Sequence, residues 1–195
     1  MFKSSLLLAL TALAASATPL APRATCADVT VVFARGTFET APIGTVVGPP
    51  FEAALLSALG SKSLNFEGVN YAASLQGFLE GGDPQGAATM ASDVNTAASS
   101  CPSTKIVMAG YSQGAQLVHL AAKQLSSTVQ NRVNAVVVFG DPDDNQGFPG
   151  VLNGRSVTFC AVGDDICAGG DVINAAHLSY GADAGAAASF VAGKV

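Results

Sequence analysis

Four short runs, Val29 to Phe33, Lys105 to Ala109, Val133 to Phe139 and Ser156 to Val162, are dense in Val, Ile and Phe. Continuous apolar runs of this length suit strands buried on both faces of a parallel sheet. A weaker run covers Asn65 to Tyr71. The intervening stretches carry helical signals. Phe51 to Leu59 follows a Pro-Pro start, Gly86 to Ser99 is Ala-rich with Pro84 just upstream, Gln113 to Leu125 has helical apolar spacing, and Asp183 to Val195 opens on an acid. Alternating strands and helices predict an α/β fold: a three-layer sandwich with a central, mostly parallel sheet and helices on both faces. No internal repeat or low-complexity tract interrupts the pattern.

The chain start follows a different pattern. Lys3 precedes an apolar stretch from Leu6 to Leu13, and Ala15-Ser16-Ala17 offers a small-x-small cleavage site. Residues 1–17 therefore read as a secretory signal, too short for a spanning helix of about 20 residues. Residues 18–25 read as a leader or disordered start, and residues 26–195 as one catalytic domain. The expected location is extracellular, with no stable membrane insertion and a monomeric state. The net charge of −5 and the absence of a basic run argue against a nucleic-acid partner. No Asn-x-Ser/Thr sequon occurs.

Four cysteines in an exported chain imply two disulfides, with three possible pairings. Cys26 and Cys101 each lie just before a predicted strand, at the same edge of a parallel sheet. Cys160 and Cys167 lie at the far end of a strand and in the next loop. Cys26–Cys101 with Cys160–Cys167 is the pairing that does not cross the sheet. The long closure is worth about 4–5 kcal/mol and the short one roughly 2–3 in the chain-entropy picture. No Cys-x-x-Cys occurs and neither His has a neighbour at ligand spacing, so no metal site is expected.

Gly110-Tyr111-Ser112-Gln113-Gly114 sits between a predicted strand and a predicted helix, the context of a nucleophile elbow. A sharp turn at Ser112 needs small flanking residues, which Gly110 and Gly114 supply. The helix N-terminus leaves the Gln113 N–H free to stabilise an oxyanion. A serine nucleophile needs a base, and the chain has two histidines. His119 lies seven residues along the same helix, about 10 Å along its axis, and is expected to be a packed or half-exposed helix residue. His177 follows the last strand and fits the Ser…Asp…His order of α/β hydrolases. Among the acids, Asp164 and Asp165 directly follow a predicted strand, and so does Asp141. Asp143, Asp144, Asp171 and Asp183 read as solvated turn or cap residues. Position alone leaves Asp164 or Asp165 slightly ahead of Asp141.

Two segments resemble the cutinase family of secreted esterases. One is Cys101-Pro102-Ser103-Thr104-Lys105-Ile106-Val107 running into the Ser112 turn. The other is Cys160-Ala161-Val162-Gly163-Asp164-Asp165-Ile166-Cys167, continuing to His177-Leu178-Ser179-Tyr180-Gly181. The resemblance implies Asp164 as the acid, by its spacing from Cys160, and the same two disulfides. It implies a lidless α/β-hydrolase fold with an exposed site bordered by apolar loops. Ala34-Arg35-Gly36-Thr37-Phe38-Glu39 resembles the family's oxyanion loop, which assigns Thr37 a place beside Gln113. Leu75, Val172, Ile173 and Leu178 fall where the family contacts substrate. The implied activity is hydrolysis of cutin-like polyesters or lipid esters, without a cofactor. Two rival readings are an acetylxylan esterase with the same triad and a non-catalytic surface-binding protein on a hydrolase fold.

Overall fold

A computed structural model describes residues 26–195. The expected signal and leader, residues 1–25, lie outside the described residues. In chain order the elements are β1 (Val29–Ala34), α1 (Gly48–Leu59), β2 (Leu64–Gly68), α2 (Leu75–Leu79), α3 (Pro84–Ser100), β3 (Lys105–Tyr111), α4 (Gln113–Gln124), α5 (Ser127–Gln130), β4 (Val133–Phe139), β5 (Ser156–Phe159) and α6 (Ala184–Ala192). Short 3-10 turns cover Gly150–Arg155 and Tyr180–Asp183. The five strands form one sheet in the order β2-β1-β3-β4-β5, and every pair is parallel.

The period-two alternation of strand side chains divides the apolar runs between two cores. Val32, Ile106, Met108 and Val136 pack against Met90 and Val94 of α3 and Leu117 and Val118 of α4. The alternate positions Val31, Phe33, Val107, Val137 and Phe139 pack against Phe51 and Leu55 of α1 and Ala187 and Val191 of α6. These strand residues are fully buried, and burial of each such side chain contributes about 1.5–3 kcal/mol. Their two-sided burial explains why the strands read as unbroken apolar runs.

Helix starts follow local chemistry. Asp83 caps α3 by accepting from the N–H groups of Gln85 at 2.9 Å and Gly86 at 3.1 Å, and Pro84 occupies the first turn. Ser74 caps the short α2 through the Gly77 N–H at 3.2 Å. The disulfides are Cys26–Cys101 and Cys160–Cys167, the pairing that avoids crossing the sheet.

Several boundaries differ from the sequence expectation. β5 ends at Phe159 rather than Val162, because the Ala161 N–H donates to the Tyr180 hydroxyl at 2.9 Å instead of extending the ladder. β2 runs from Leu64 to Gly68 rather than reaching Tyr71, because the Arg35 guanidinium takes the carbonyls of Val69 and Tyr71. α6 starts at Ala184 after the 3-10 turn and stops at Ala192.

Candidate active site

β3 ends at Tyr111 and α4 begins at Gln113, which leaves Ser112 alone at the turn with φ +58° and ψ −123°. That backbone region is sparsely populated for a residue with a Cβ, and such strain collects at functional sites. The flanking glycines allow the close approach. A Cβ on Gly110 would lie 2.2 Å from the Gly114 carbonyl oxygen, and one on Gly114 would lie 2.0 Å from that of Ala34. The Ser112 N–H donates to the Phe139 carbonyl at 2.9 Å, which ties the turn to the end of β4.

The structure brings Ser112, His177 and Asp164 into one hydrogen-bonded line. His177 Nε2 lies 2.9 Å from Ser112 Oγ, and Nδ1 lies 2.9 Å from Asp164 Oδ2. With the Nδ1–H donating to the carboxylate, Nε2 is left to accept the serine proton. All three residues are nearly enclosed, at 4 %, 1 % and 4 % exposure for Ser112, His177 and Asp164. Burial works against the Asp164 charge. Hydrogen bonds from Tyr180 and His177, the charge of His177 and the Ile166 N–H outweigh it and hold the carboxyl below the usual carboxylate range.

Several residues that sequence reasoning did not single out fix this line. Tyr180 donates to Asp164 Oδ2 at 2.5 Å. Burial pushes the Tyr180 phenol up, and its bond to the Asp164 carboxylate adds to the shift, so it stays a donor. Tyr111 stacks on the His177 ring at 5.1 Å and donates to the His177 carbonyl at 2.7 Å. Asn174 Oδ1 accepts the His177 N–H at 3.0 Å. Gly140 backs the imidazole so closely that a Cβ there would lie 2.9 Å from His177 Cε1. Tyr111 and Tyr180 were visible beside the motifs, but their directions were not.

The other acids are otherwise engaged. Asp165 accepts the Val172 N–H at 2.9 Å and shapes its own loop. Asp141 is fully buried against His119, with Oδ2 2.9 Å from Nε2. His119 is a packed helix residue stacked on Phe148 at 4.1 Å.

Thr37 and Gln113 also meet. Gln113 Nε2 donates to Thr37 Oγ1 at 2.8 Å and to the Ser74 carbonyl at 2.7 Å. The Gln113 N–H heads α4 and has no intrahelical acceptor. Among the described residues no backbone carbonyl accepts the Thr37 N–H. The loop before Thr37 is braced from both sides. Arg35 Nε donates to the Glu39 carbonyl at 2.8 Å, and Glu39 accepts the N–H groups of Gly36, Thr45 and Val46. The Tyr71 hydroxyl donates to the Arg35 carbonyl.

A cleft opens onto Ser112, lined by Thr37, Phe38, Leu75, Phe78, Ile166, Asp171 and Ile173. Leu75 and Ile173 are thus on its wall, whereas Val172 and Leu178 lie outside that lining as exposed side chains nearby. Phe38, Phe78 and Ile166 were missed because they come from loops and the short α2, whose side-chain directions no sequence period sets.

The cutinase family model matches residues 25–195. The chain is 55% identical over 188 residues to a cutinase of Botryotinia fuckeliana, covering 96% of this chain and 93% of the relative. The chain belongs to the cutinase family. Cutinases are carboxylic ester hydrolases, and so is this protein. A solved cutinase of Trichoderma reesei, in complex with a phosphonate inhibitor, superposes with a TM-score of 0.82 at 44% identity, covering 87% of this chain and 77% of that one. An acetylxylan esterase superposes with a TM-score of 0.72 at 27% identity, covering 87% of this chain and 99% of that one. Among the described residues of this cutinase-family chain, no helix is long and apolar enough to cross a membrane.

Proposed function

We propose that the protein is an exported serine esterase that hydrolyses cutin-like polyesters and short acyl esters through an acyl-enzyme on Ser112. The observation that carries this reading is the Ser112–His177–Asp164 line opening onto an apolar cleft. His177 takes the Ser112 proton as Oγ attacks the ester carbonyl. The N–H groups of Thr37 and Gln113 receive the oxyanion, each such donor typically being worth about 3–4 kcal/mol of barrier. The imidazolium, stabilised by Asp164, protonates the leaving alcohol, and His177 then activates water for deacylation. Side chains and backbone N–H groups carry every step. Leu75 and Ile173 contact the acyl chain, and Val172 and Leu178 extend the apolar rim toward a polymer surface. Residues 1–17 direct export.

The fold likeness to an acetylxylan esterase supports a second reading, deacetylation of a polysaccharide. The apolar lining of the cleft and the 55%-identical cutinase relative favour the first. A panel of cutin, short and long acyl esters and acetylated xylan separates them. The wild type is expected to release fatty acids from cutin and the Ser112→Ala variant to be inactive on every ester. Acetate release from xylan with no action on cutin would reverse the choice.

A further inference from the structure

Asp171 is the one charged residue lining the cleft that opens onto Ser112. It is exposed, and among the described residues it takes part in no hydrogen bond or ion pair. The neighbouring acids differ: Asp165 holds the Val172 N–H, Asp164 holds His177 and Asp141 holds His119. Asp171 therefore has no structural partner that accounts for its position.

A second hollow adjoins the cleft and shares Phe78 and Asp171 with it. Its further lining includes Leu79 and a second carboxylate, Asp143, and no Lys or Arg. The combined lining runs from Ser112 and its apolar neighbours past Phe78 to the Asp171 carboxylate and on to that of Asp143.

We propose that Asp171 is a specificity-determining residue that sorts acyl groups by the chemistry of their far end, accepting neutral and hydroxyl-bearing ends and rejecting carboxylate-bearing ones. The proposal rests on the reading of Ser112 as the nucleophile. A hydroxyl donates to the free carboxylate in a charge-assisted hydrogen bond. A second carboxylate is repelled, by about tenfold for unit charges several ångströms apart at the edge of a protein.

The test compares kcat/KM for ethyl hexanoate, ethyl 6-hydroxyhexanoate and monoethyl adipate, which share a chain length and differ at the far end. At low salt the wild type is expected to favour the hexanoate over the adipate ester by about tenfold. Asp171→Asn should shrink that ratio to about threefold or less, as should 1 M NaCl, where screening acts within about 3 Å. Asp171→Leu should erase any advantage of the hydroxy ester. Ratios that are the same in the wild type and both variants would overturn the proposal. Failure of the underlying reading has a separate signature: Ser112→Ala would hydrolyse ethyl hexanoate as the wild type does.

Discussion

The molecule contains two buried His–Asp pairs of equal length, and only one faces a serine. His177 and Asp164 meet at 2.9 Å, and so do His119 and Asp141. Both imidazoles are almost fully enclosed, at 1 % exposure. The difference lies on the second ring nitrogen. His177 presents Nε2 to Ser112 Oγ, whereas His119 Nδ1 has no hydrogen-bond partner among the described residues. The environments differ too. His177 stands over Gly140 beside an open cleft, while His119 lies flat against Phe148 within the core. A buried imidazole–carboxylate pair is thus no catalytic signature by itself. Chemistry requires a third group, an acceptor nitrogen aimed at it, and room for a substrate.

Replacing each histidine breaks the comparison most sharply. His177→Ala is expected to lower kcat by about 10⁵-fold or more. His119→Ala should leave kcat within about threefold but strand Asp141 in the core, at a cost of about 3–5 kcal/mol, on the order of 10 °C in Tm. Steady-state kinetics and thermal unfolding on both variants measure the contrast; a large kcat loss in His119→Ala at temperatures where it is folded would erase it.

Of the two imidazoles, Gly140 backs only that of His177. A Cβ there sits 2.9 Å from His177 Cε1 and 2.7 Å from Tyr180 Cε2, so Gly140→Ala must displace the ring. Misplacement by about 1 Å costs on the order of 10² in rate, and the loss should fall on kcat rather than KM. Tyr180→Phe removes the 2.5 Å bond to Asp164 and should cost about tenfold in kcat, the equivalent of one charged hydrogen bond of about 1.5 kcal/mol.

The smallest effect concerns acid. The Asp164 carboxyl is depressed in the folded state, because its hydrogen bonds and the His177 charge outweigh burial. A depressed folded value contributes stability that is fully present above the unfolded value near 3.9 and is lost as pH falls through the folded value. Tm measured below about pH 4 should therefore fall less steeply in Tyr180→Phe than in the wild type.

Much of this was legible in the chain. The strand runs are apolar because both faces of the sheet are covered, and the glycines around Ser112 mark a turn that tolerates no Cβ. Helical rise alone separated His119 from Ser112. The acid was not decidable from position, because Asp141, Asp164 and Asp165 all follow strands. What distinguishes them is tertiary: Asp141 is taken by a helix 22 residues away in sequence, and Asp165 by its own loop. The cleft wall was half legible. Leu75 and Ile173 reach it, while Phe38 enters from a residue at φ +62° that no periodic pattern announces. α2 escaped notice because five residues are too few to display a helical period.

The most direct test of the account is mass spectrometry of the intact and digested protein after treatment with a fluorophosphonate. One adduct per chain is expected, on Ser112, with esterase activity lost in proportion and His177→Ala labelled far more slowly. Persistent esterase activity with Ser112 unlabelled, or labelling that depends on His119 rather than His177, would contradict it.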